Sequence, residues 1–243
     1  MSSGLLLNKW AILDAIGWEP HQGQLQICES TARHRVFACG RRFGKSDVGG
    51  HELVVEAFYT KPLEQTLKDR MKRREFWIVG PEYSDSEKEF RVLWNELSRL
   101  GVPMDKPGSY NNPETGSLHM SLWGGTFQVH GKSAKYPDTL VGEGLSGVIM
   151  AEAAKMKPIV WTKYIRPTLA DFDGWSIHSS TPEGKNHFYE LWQSGQDPDN
   201  ANWESWRMPA WRNHYVYKTP TLDKHVRFLQ NTMERQPAAS PHF

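Results

Sequence analysis

The sequence predicts an α/β fold: a mostly parallel central sheet flanked by helices in three layers, with an added β-hairpin. Three observations carry this expectation. Short apolar runs of strand length alternate with longer amphipathic segments, the pattern of βαβ units. The segment "ACGRRFGKS" (38–46) joins one such run to a helical one with the spacing of a phosphate-binding loop. The runs "SLHMSLW" and "TFQVHG" flank Gly124-Gly125, which reads as a hairpin turn.

Taken in order, residues 5–16 are expected to form a short amphipathic helix and "GWEPHQGQ" (17–24) a loop. "RVFACG" (35–40) is a strand ending in glycine, and residues 47–60 read as a helix launched from the loop after it. "EFWIVG" (75–80) is a second apolar strand; residues 84–100 place Phe90, Leu93, Leu97 and Leu100 on one helical face. After the hairpin come the strand "GVIMAE" (147–152), a helix around 158–170, the strand "WSIHSS" (175–180), a helix near 186–194 and an edge strand "WESWRM" (203–208). Residues 1–215 are expected to be one domain, with 216–243 a helical segment and frayed tail.

Composition narrows the function classes. With 243 residues, 38% hydrophobic and 23% charged, the chain is globular and long enough for one large core. A net charge of +1 gives no whole-molecule electrostatic case for nucleic acid, so any basic surface must be local. Two cysteines, Cys28 and Cys39, make no disulfide framework and are too few for zinc; they suit a reducing compartment. His119, His130 and His178 lack metal-ligand spacing. "GLLL" near the start is too short for a signal peptide, and no apolar run reaches membrane-spanning length, so no membrane partner is expected. Most of the eleven tryptophans are expected to anchor packing.

The phosphate loop carries the chemistry. Gly40 and Gly44 let backbone amides turn inward around phosphate oxygens, with Arg41, Arg42 and Phe43 between them. A helix starting near Lys45 aims its positive end at the same anion. Lys45 is placed to reach the β- and γ-phosphates of ATP, and the Ser46 hydroxyl to ligate Mg²⁺. The usual G-x-x-x-x-G-K-[ST] spacing is shifted: Cys39 holds the first glycine position and Gly40 follows it. Arg41 or Arg42 is a candidate finger acting in cis on the developing γ-phosphate charge; the plain alternative is a surface arginine.

"PHQGQ", "GRRFGKS", "WIVGPEYSDSEKEFRVLW", "LVGEGLSGVIMAEAAKM" and "SSTPEGKNHFY" occur in this order. Together, from about Trp18 to Trp192, they resemble the ATPase domain of tailed-bacteriophage terminase large subunits, the motors that package DNA. The resemblance implies a P-loop NTPase fold with an extra strand between the loop strand and the acidic strand. It implies ATP and Mg²⁺ as cofactors. The implied partners are double-stranded DNA, a portal protein and a small terminase subunit. A homo-oligomeric ring is implied on the portal, with a monomer possible in isolation. The implied location is the cytoplasm of the infected host, outside the mature virion. Residue by residue, Gln24 falls at the adenine-contacting glutamine and Glu152 at the catalytic glutamate that activates water. Ser179, Ser180 and Thr181 fall at the motif coupling γ-phosphate loss to DNA movement.

The sequence departs from the family in three ways. The acidic strand of the family ends in Asp-Glu, the Asp anchoring Mg²⁺; here Ala151 precedes Glu152, by natural divergence or by substitution, which implies weakened hydrolysis. Val141 stands where related sequences often carry an arginine finger. No acidic cluster of a nuclease domain follows, so no nuclease activity is expected. The basic run "KDRMKRR" offers Lys68, Arg70, Lys72, Arg73 and Arg74 as phosphate contacts for DNA, against the plain reading of a solvated loop; Lys132 and Lys135 pose the same alternative. Two other readings stay open: a helicase or translocase outside viruses, and a nucleotide-binding assembly module without turnover.

Overall fold

The structure is a computed structural model that describes residues 8–60, 73–142 and 144–217. Its strands are β1 (His34–Cys39), β2 (Arg74–Gly80), β3 (Tyr110–Asn112), β4 (Ser117–Leu122), β5 (Phe127–Ser133), β6 (Gly147–Ala151), β7 (Trp175–Ser180) and β8 (Trp203–Met208). The helices are α1 (Lys9–Ala15), α2 (Gln22–Glu29), α3 (Lys45–Thr60), α4 (Tyr83–Arg99) and α5 (His187–Ser194). The eight described strands join one sheet in the order β3-β4-β5-β2-β6-β7-β1-β8. From β5 to β8 every neighbouring pair is parallel, while β4 runs against both β3 and β5. The α/β expectation holds, hairpin included. The strand lying between β1 and β6 is β7, which ends in the Ser-Ser-Thr motif. Because the strands are parallel, β1, β6 and β7 release their next residues at one edge, where ligands of open α/β sheets bind.

Alternation along the buried strands decides the layers. Phe37, Phe76, Ile78, Ile149 and Ile177 face one way and pack with α1 to α4. Val36, Ala38, Trp77, Val79, Val148 and Met150 face the other way, against the 153–169 segment and Phe188 of α5. The helix α4 exists because Ser86, Glu89, Phe90, Leu93 and Leu97 form a single buried stripe. It packs unusually close to α3. A Cβ on Gly50 would lie 2.4 Å from Val92 Cβ, and one on Gly49 would lie 3.1 Å from Glu89 Cγ and 3.2 Å from Ile149 Cδ1. Two glycines mid-helix cost about 1 kcal/mol each against alanine, offset here by that approach.

Two expectations are corrected. Residues 22–24 are helical rather than loop, because His21 caps α2: its Nδ1 accepts from Gly23 N at 3.1 Å and Gln24 N at 3.4 Å, while Gln24 Oε1 accepts from His21 N at 3.1 Å. An imidazole thus serves the capping box where Ser or Thr is usual. The helix expected around 158–170 is a π-helical turn, Val160–Ile165, running into a 3₁₀ turn, Arg166–Leu169. Pro167 removes an amide donor and crowds the preceding turn, so regular α-helical bonding stops. Among the described tryptophans only Trp10 is largely exposed, which agrees with an anchoring role for the rest. Residues 218–243 of the expected C-terminal segment, and Lys68, Arg70 and Lys72, lie outside the described residues. No described helix is long and apolar enough to cross a membrane.

Beneath α3 lies a buried ion cluster. Arg35 of β1 meets Glu52 of α3 with two bonds, 3.1 Å to Oε1 and 3.2 Å to Oε2. Lys9 of α1 reaches the same carboxylate and donates to the Cys28 carbonyl at 2.7 Å. Burial opposes the Glu52 charge, yet Arg35 and Lys9 hold its carboxyl below the usual range. The thiols of Cys28 and Cys39 are buried, free and pushed up to about 12, so both are inert.

On the opposite face His34, Ser176 and His178 form a chain of hydrogen bonds, 2.8 Å from His34 Nδ1 to Ser176 Oγ and 3.0 Å from there to His178 Nε2. Trp161 and Trp203 enclose it. Burial, then the nearby Arg33 and Arg166 charges, lowers His34 to about 4; burial, then His119, lowers His130 to about 3; burial pushes His178 well down. The unfolded chain takes up these protons near pH 6.5, whereas the folded chain does not. Stability is therefore full above pH 6.5 and falls with pH until the folded values are passed, by about 3 kcal/mol for His34 alone. Glu89, pushed up to about 7 by burial, works the other way and offsets one such histidine. Denaturant melts from pH 7 to pH 4 are expected to show a net loss of several kcal/mol, and a flat profile would refute this account.

Candidate functional site

The site forms where β1, β6 and β7 end. The loop after β1 is held from behind. Gly40 N donates to Met208 O at 3.1 Å, and a Cβ on Gly40 would meet the Ala210 backbone at 2.9 Å, so only glycine lets the segment after β8 pass. Asn213 Nδ2 donates to the carbonyl oxygens of Arg42 at 2.8 Å and Phe43 at 3.4 Å. The Phe43 ring is fully buried, edge-on to His21, and His21 Nε2 bonds the Phe43 carbonyl at 2.8 Å. Since His21 Nδ1 accepts from backbone amides, Nε2 carries the proton and the ring is neutral; burial lowers its pKa accordingly. Arg42 takes a left-handed φ of 63°, and Gly44 one of 95°. Gln24 Nε2 donates to Gly44 O at 3.1 Å, and a Cβ on Gly44 would clash with that nitrogen at 2.5 Å.

In front of the loop is a cavity of about 250 Å³ lined by Arg41, Arg42, Gly44, Lys45, Ser46, Asp47 and Glu152. Lys45 Nζ donates to Cys39 O at 3.3 Å, Gly40 O at 3.4 Å and Thr181 Oγ1 at 3.5 Å, and lies 4.0 Å from Glu152 Oε1. Burial lowers its pKa, against the pull of Glu152. Glu152 has φ 52°, a left-handed turn that lifts it off the end of β6. Its Oε2 lies 3.5 Å from the Ser180 hydroxyl and 3.6 Å from Lys155. Ser180 and Thr181, at the end of β7, therefore touch the glutamate and the lysine respectively, while Ser179 is buried beside Ala151 in the sheet. The carboxylate of Glu89 on α4 faces the Ser46 hydroxyl, an interaction that favours its charged form against burial.

The structure thus brings Arg41, Arg42, Gly44, Lys45, Ser46, Glu152, Ser180 and Thr181 to one place. Gln24, Phe43 and Gly40 stand behind the loop and line no part of the cavity. Both amide atoms of Gln24 are engaged within the support of the loop. Val141 is 75% exposed on the stretch before β6. Arg73 and Arg74 sit at the start of β2, the opposite end of the sheet, paired with Glu75 at 2.6 Å and Glu56 at 2.8 Å. Lys132 lies over the Trp77 ring and Lys135 meets Glu82 at 3.3 Å. Sequence reasoning missed His21 and Asn213 as loop supports, and Glu89 beside Ser46. It also missed Asn186 and His187, which bond the carbonyls of Ala154 and Ala153, both at 3.0 Å, and tie α5 to the residues after Glu152.

Among the described residues no group of three or more His, Cys, Asp or Glu is arranged to hold a metal. The donor set suits Mg²⁺ delivered with a nucleotide, which brings phosphate and water ligands of its own and takes few from protein.

No protein-family model matches the chain. Over 226 residues it is 32% identical to the large terminase subunit of Thermus virus P23-45, covering 82% of this chain and 44% of that one. Against the large subunit from a second Thermus phage it is 34% identical over 197 residues, 75% of this chain and 38% of the other. The chain therefore spans less than half the length of these curated relatives. The ATPase domain of the Thermus phage P74-26 large terminase matches with a TM-score of 0.69 at 26% identity, covering 93% of this chain and 92% of that domain. The large terminase of a thermophilic bacteriophage in complex with ADP shares the fold, with a TM-score of 0.61 at 12% identity over 86% of this chain and 50% of that one.

Proposed function

Because the chain belongs to the large-terminase family of tailed bacteriophages, we propose that it is the ATPase part of a DNA-packaging motor, hydrolysing ATP to drive double-stranded DNA into a procapsid. The observation that carries this reading is the meeting of Lys45 and Glu152 at one cavity in front of the phosphate loop, with Thr181 bonded to Lys45. The amides at the start of α3 and the Lys45 ammonium bind the β- and γ-phosphates. To do so, Lys45 exchanges its bonds to the Cys39 and Gly40 carbonyls for phosphate oxygens. Ser46 would hold Mg²⁺, which when bound neutralises phosphate charge. Glu152 orients the attacking water and takes its proton. Arg41 and Arg42, exposed on the rim, stabilise the charge that develops on the γ-phosphate. The adenine contact expected of Gln24 requires one of its two internal amide bonds to be exchanged for the base.

Coupling follows from the same contacts. Ser180 and Thr181 sense the glutamate and the lysine, and the loop after β7 leads into α5, which Asn186 and His187 hook to Ala153 and Ala154. A shift at the γ-phosphate therefore has two routes into α5. In this reading the portal, the small subunit and a homo-oligomeric ring are the assembly partners. With valine rather than arginine at 141, the arginine contribution falls to Arg41 and Arg42. A binding module without turnover remains the second reading, favoured by Ala151 and Val141.

The test is calorimetric binding of ATPγS, with phosphate release from ATP measured in parallel. Lys45→Ala is expected to lower nucleotide affinity by ~10- to 100-fold, the loss of a charge-assisted bond to phosphate. Unchanged affinity would remove the loop from the account. Binding with no turnover, even with double-stranded DNA added, would favour the module.

A further inference from the structure

Strand β6 ends in a methyl group where a carboxylate is expected, yet the site has a carboxylate at hand. Residues 147, 149 and 151 of β6 share a face by strand alternation, so Ala151 is directed as Ile149 is. Ile149 Cδ1 lies 3.2 Å from where a Cβ on Gly49 would stand, and Glu89 Cγ lies 3.1 Å from the same point. Glu89 of α4 therefore reaches across Gly49 into the ground between α3 and the end of β6. It is 3% exposed and faces the Ser46 hydroxyl. Its second oxygen, Oε2, is buried and has no hydrogen-bond partner among the described residues.

We propose that Glu89 is the positioning carboxylate of the divalent-cation site, supplying from helix α4 what Ala151 cannot supply from β6. The proposal rests on the reading of this loop as an ATP-Mg²⁺ site. A serine that gives its proton to a carboxylate keeps its lone pairs free and turned away from that carboxylate, the state a metal ligand needs. A buried carboxylate oxygen left without a partner is costly, and native proteins keep few of them. The water shell that Mg²⁺ retains supplies donors for such an oxygen. Such outer-sphere partners orient the ligand and typically set 10- to 100-fold in metal affinity. The geometry also explains the small residues around it: Gly49 leaves the passage, Gly50 lets α4 approach, and Ala151 leaves room. An aspartate at 151 would put a second carboxylate into the same confined space, where two like charges resist being ionised together.

The test separates metal dependence from nucleotide binding. Affinity for ATPγS is measured by calorimetry with EDTA and again with Mg²⁺, and the ratio is the gain due to the cation. Four proteins are compared: the unsubstituted chain, Glu89→Gln, Ala151→Asp and the pair together, each with a thermal melt. Glu89→Gln is expected to lose ~10- to 100-fold of the gain while its EDTA affinity stays within about twofold. Ala151→Asp alone is expected to melt lower with no larger gain, and the pair to recover the gain. If Glu89→Gln does not fold, the pair against Ala151→Asp carries the same comparison. A full gain in a folded Glu89→Gln overturns the proposal. So does equal loss of affinity with and without metal, which marks support of the loop only. So does a larger gain in Ala151→Asp, which marks position 151 as simply vacant. Failure of the unsubstituted chain to bind ATPγS under either condition instead overturns the nucleotide-site reading, and this inference falls with it.

Discussion

Replacing Glu152 by glutamine is expected to lower ATP turnover by ~10²- to 10⁴-fold while nucleotide affinity stays within about threefold, the signature of a lost general base. The side chain keeps its length, and its amide oxygen can still accept from Ser180, which now lies 3.5 Å from Oε2. What disappears is basicity toward water, together with the charge 4.0 Å from Lys45. Lys45 then keeps its loop carbonyls and Thr181 as partners, so the phosphate-binding half of the site is undisturbed. Single-turnover phosphate release alongside ATPγS calorimetry distinguishes the two quantities. A variant retaining more than about a tenth of the original rate would assign the proton to another group.

The second large effect concerns stability. Truncating Glu52 to alanine leaves Arg35 and Lys9 without their shared carboxylate, in a place where Arg35 is 5% exposed and its Nε already has no partner among the described residues. Removing one member of a buried ion cluster typically costs about 3–5 kcal/mol, most of it from stranding the opposite charge. Urea denaturation of Glu52→Ala should therefore show a midpoint shift that consumes a large part of a typical domain's stability. The triple variant Lys9→Met, Arg35→Met and Glu52→Leu removes all three charges and keeps the volume. It is expected to be far less harmed than Glu52→Ala, and if both fall equally, packing rather than charge explains the cluster.

Much of this architecture was legible in the residues themselves. The strand and helix alternation, the hairpin around Gly124-Gly125 and the edge position of "WESWRM" follow from periodicity and turn chemistry, which are local. The loop was legible because its glycines and its lysine answer to one anion. The start of α2 was not, because a histidine in the capping position carries no strong propensity until its second nitrogen finds Phe43 across the fold. The π-helical turn was missed because Pro167 acts on the turn preceding it, where the apolar spacing still reads as helical. Glu89 left a signal that went unread: a charged residue on the stripe Ser86, Phe90, Leu93, Leu97, facing a helix with adjacent glycines. Gln24 shows a different limit. Its identity marks a functional neighbourhood, while the direction of its amide depends on His21 and Gly44, which only the fold brings near.

The hold of Asn213 on the Arg42 and Phe43 carbonyls has a mechanical meaning. The polypeptide that continues past residue 213 is moored to the tip of the phosphate loop, five residues after β8 ends at Met208. Tension applied downstream of this point meets the Tyr215 bond to the Glu19 carbonyl and is then shared between the phosphate loop, through the Asn213 side chain, and the sheet, through the backbone to β8. Conversely, a loop that flexes as its anion arrives or departs tugs directly on that downstream chain. The loop and the chain leaving it are thus mechanically joined, so force on that chain and occupancy of the loop act on one another.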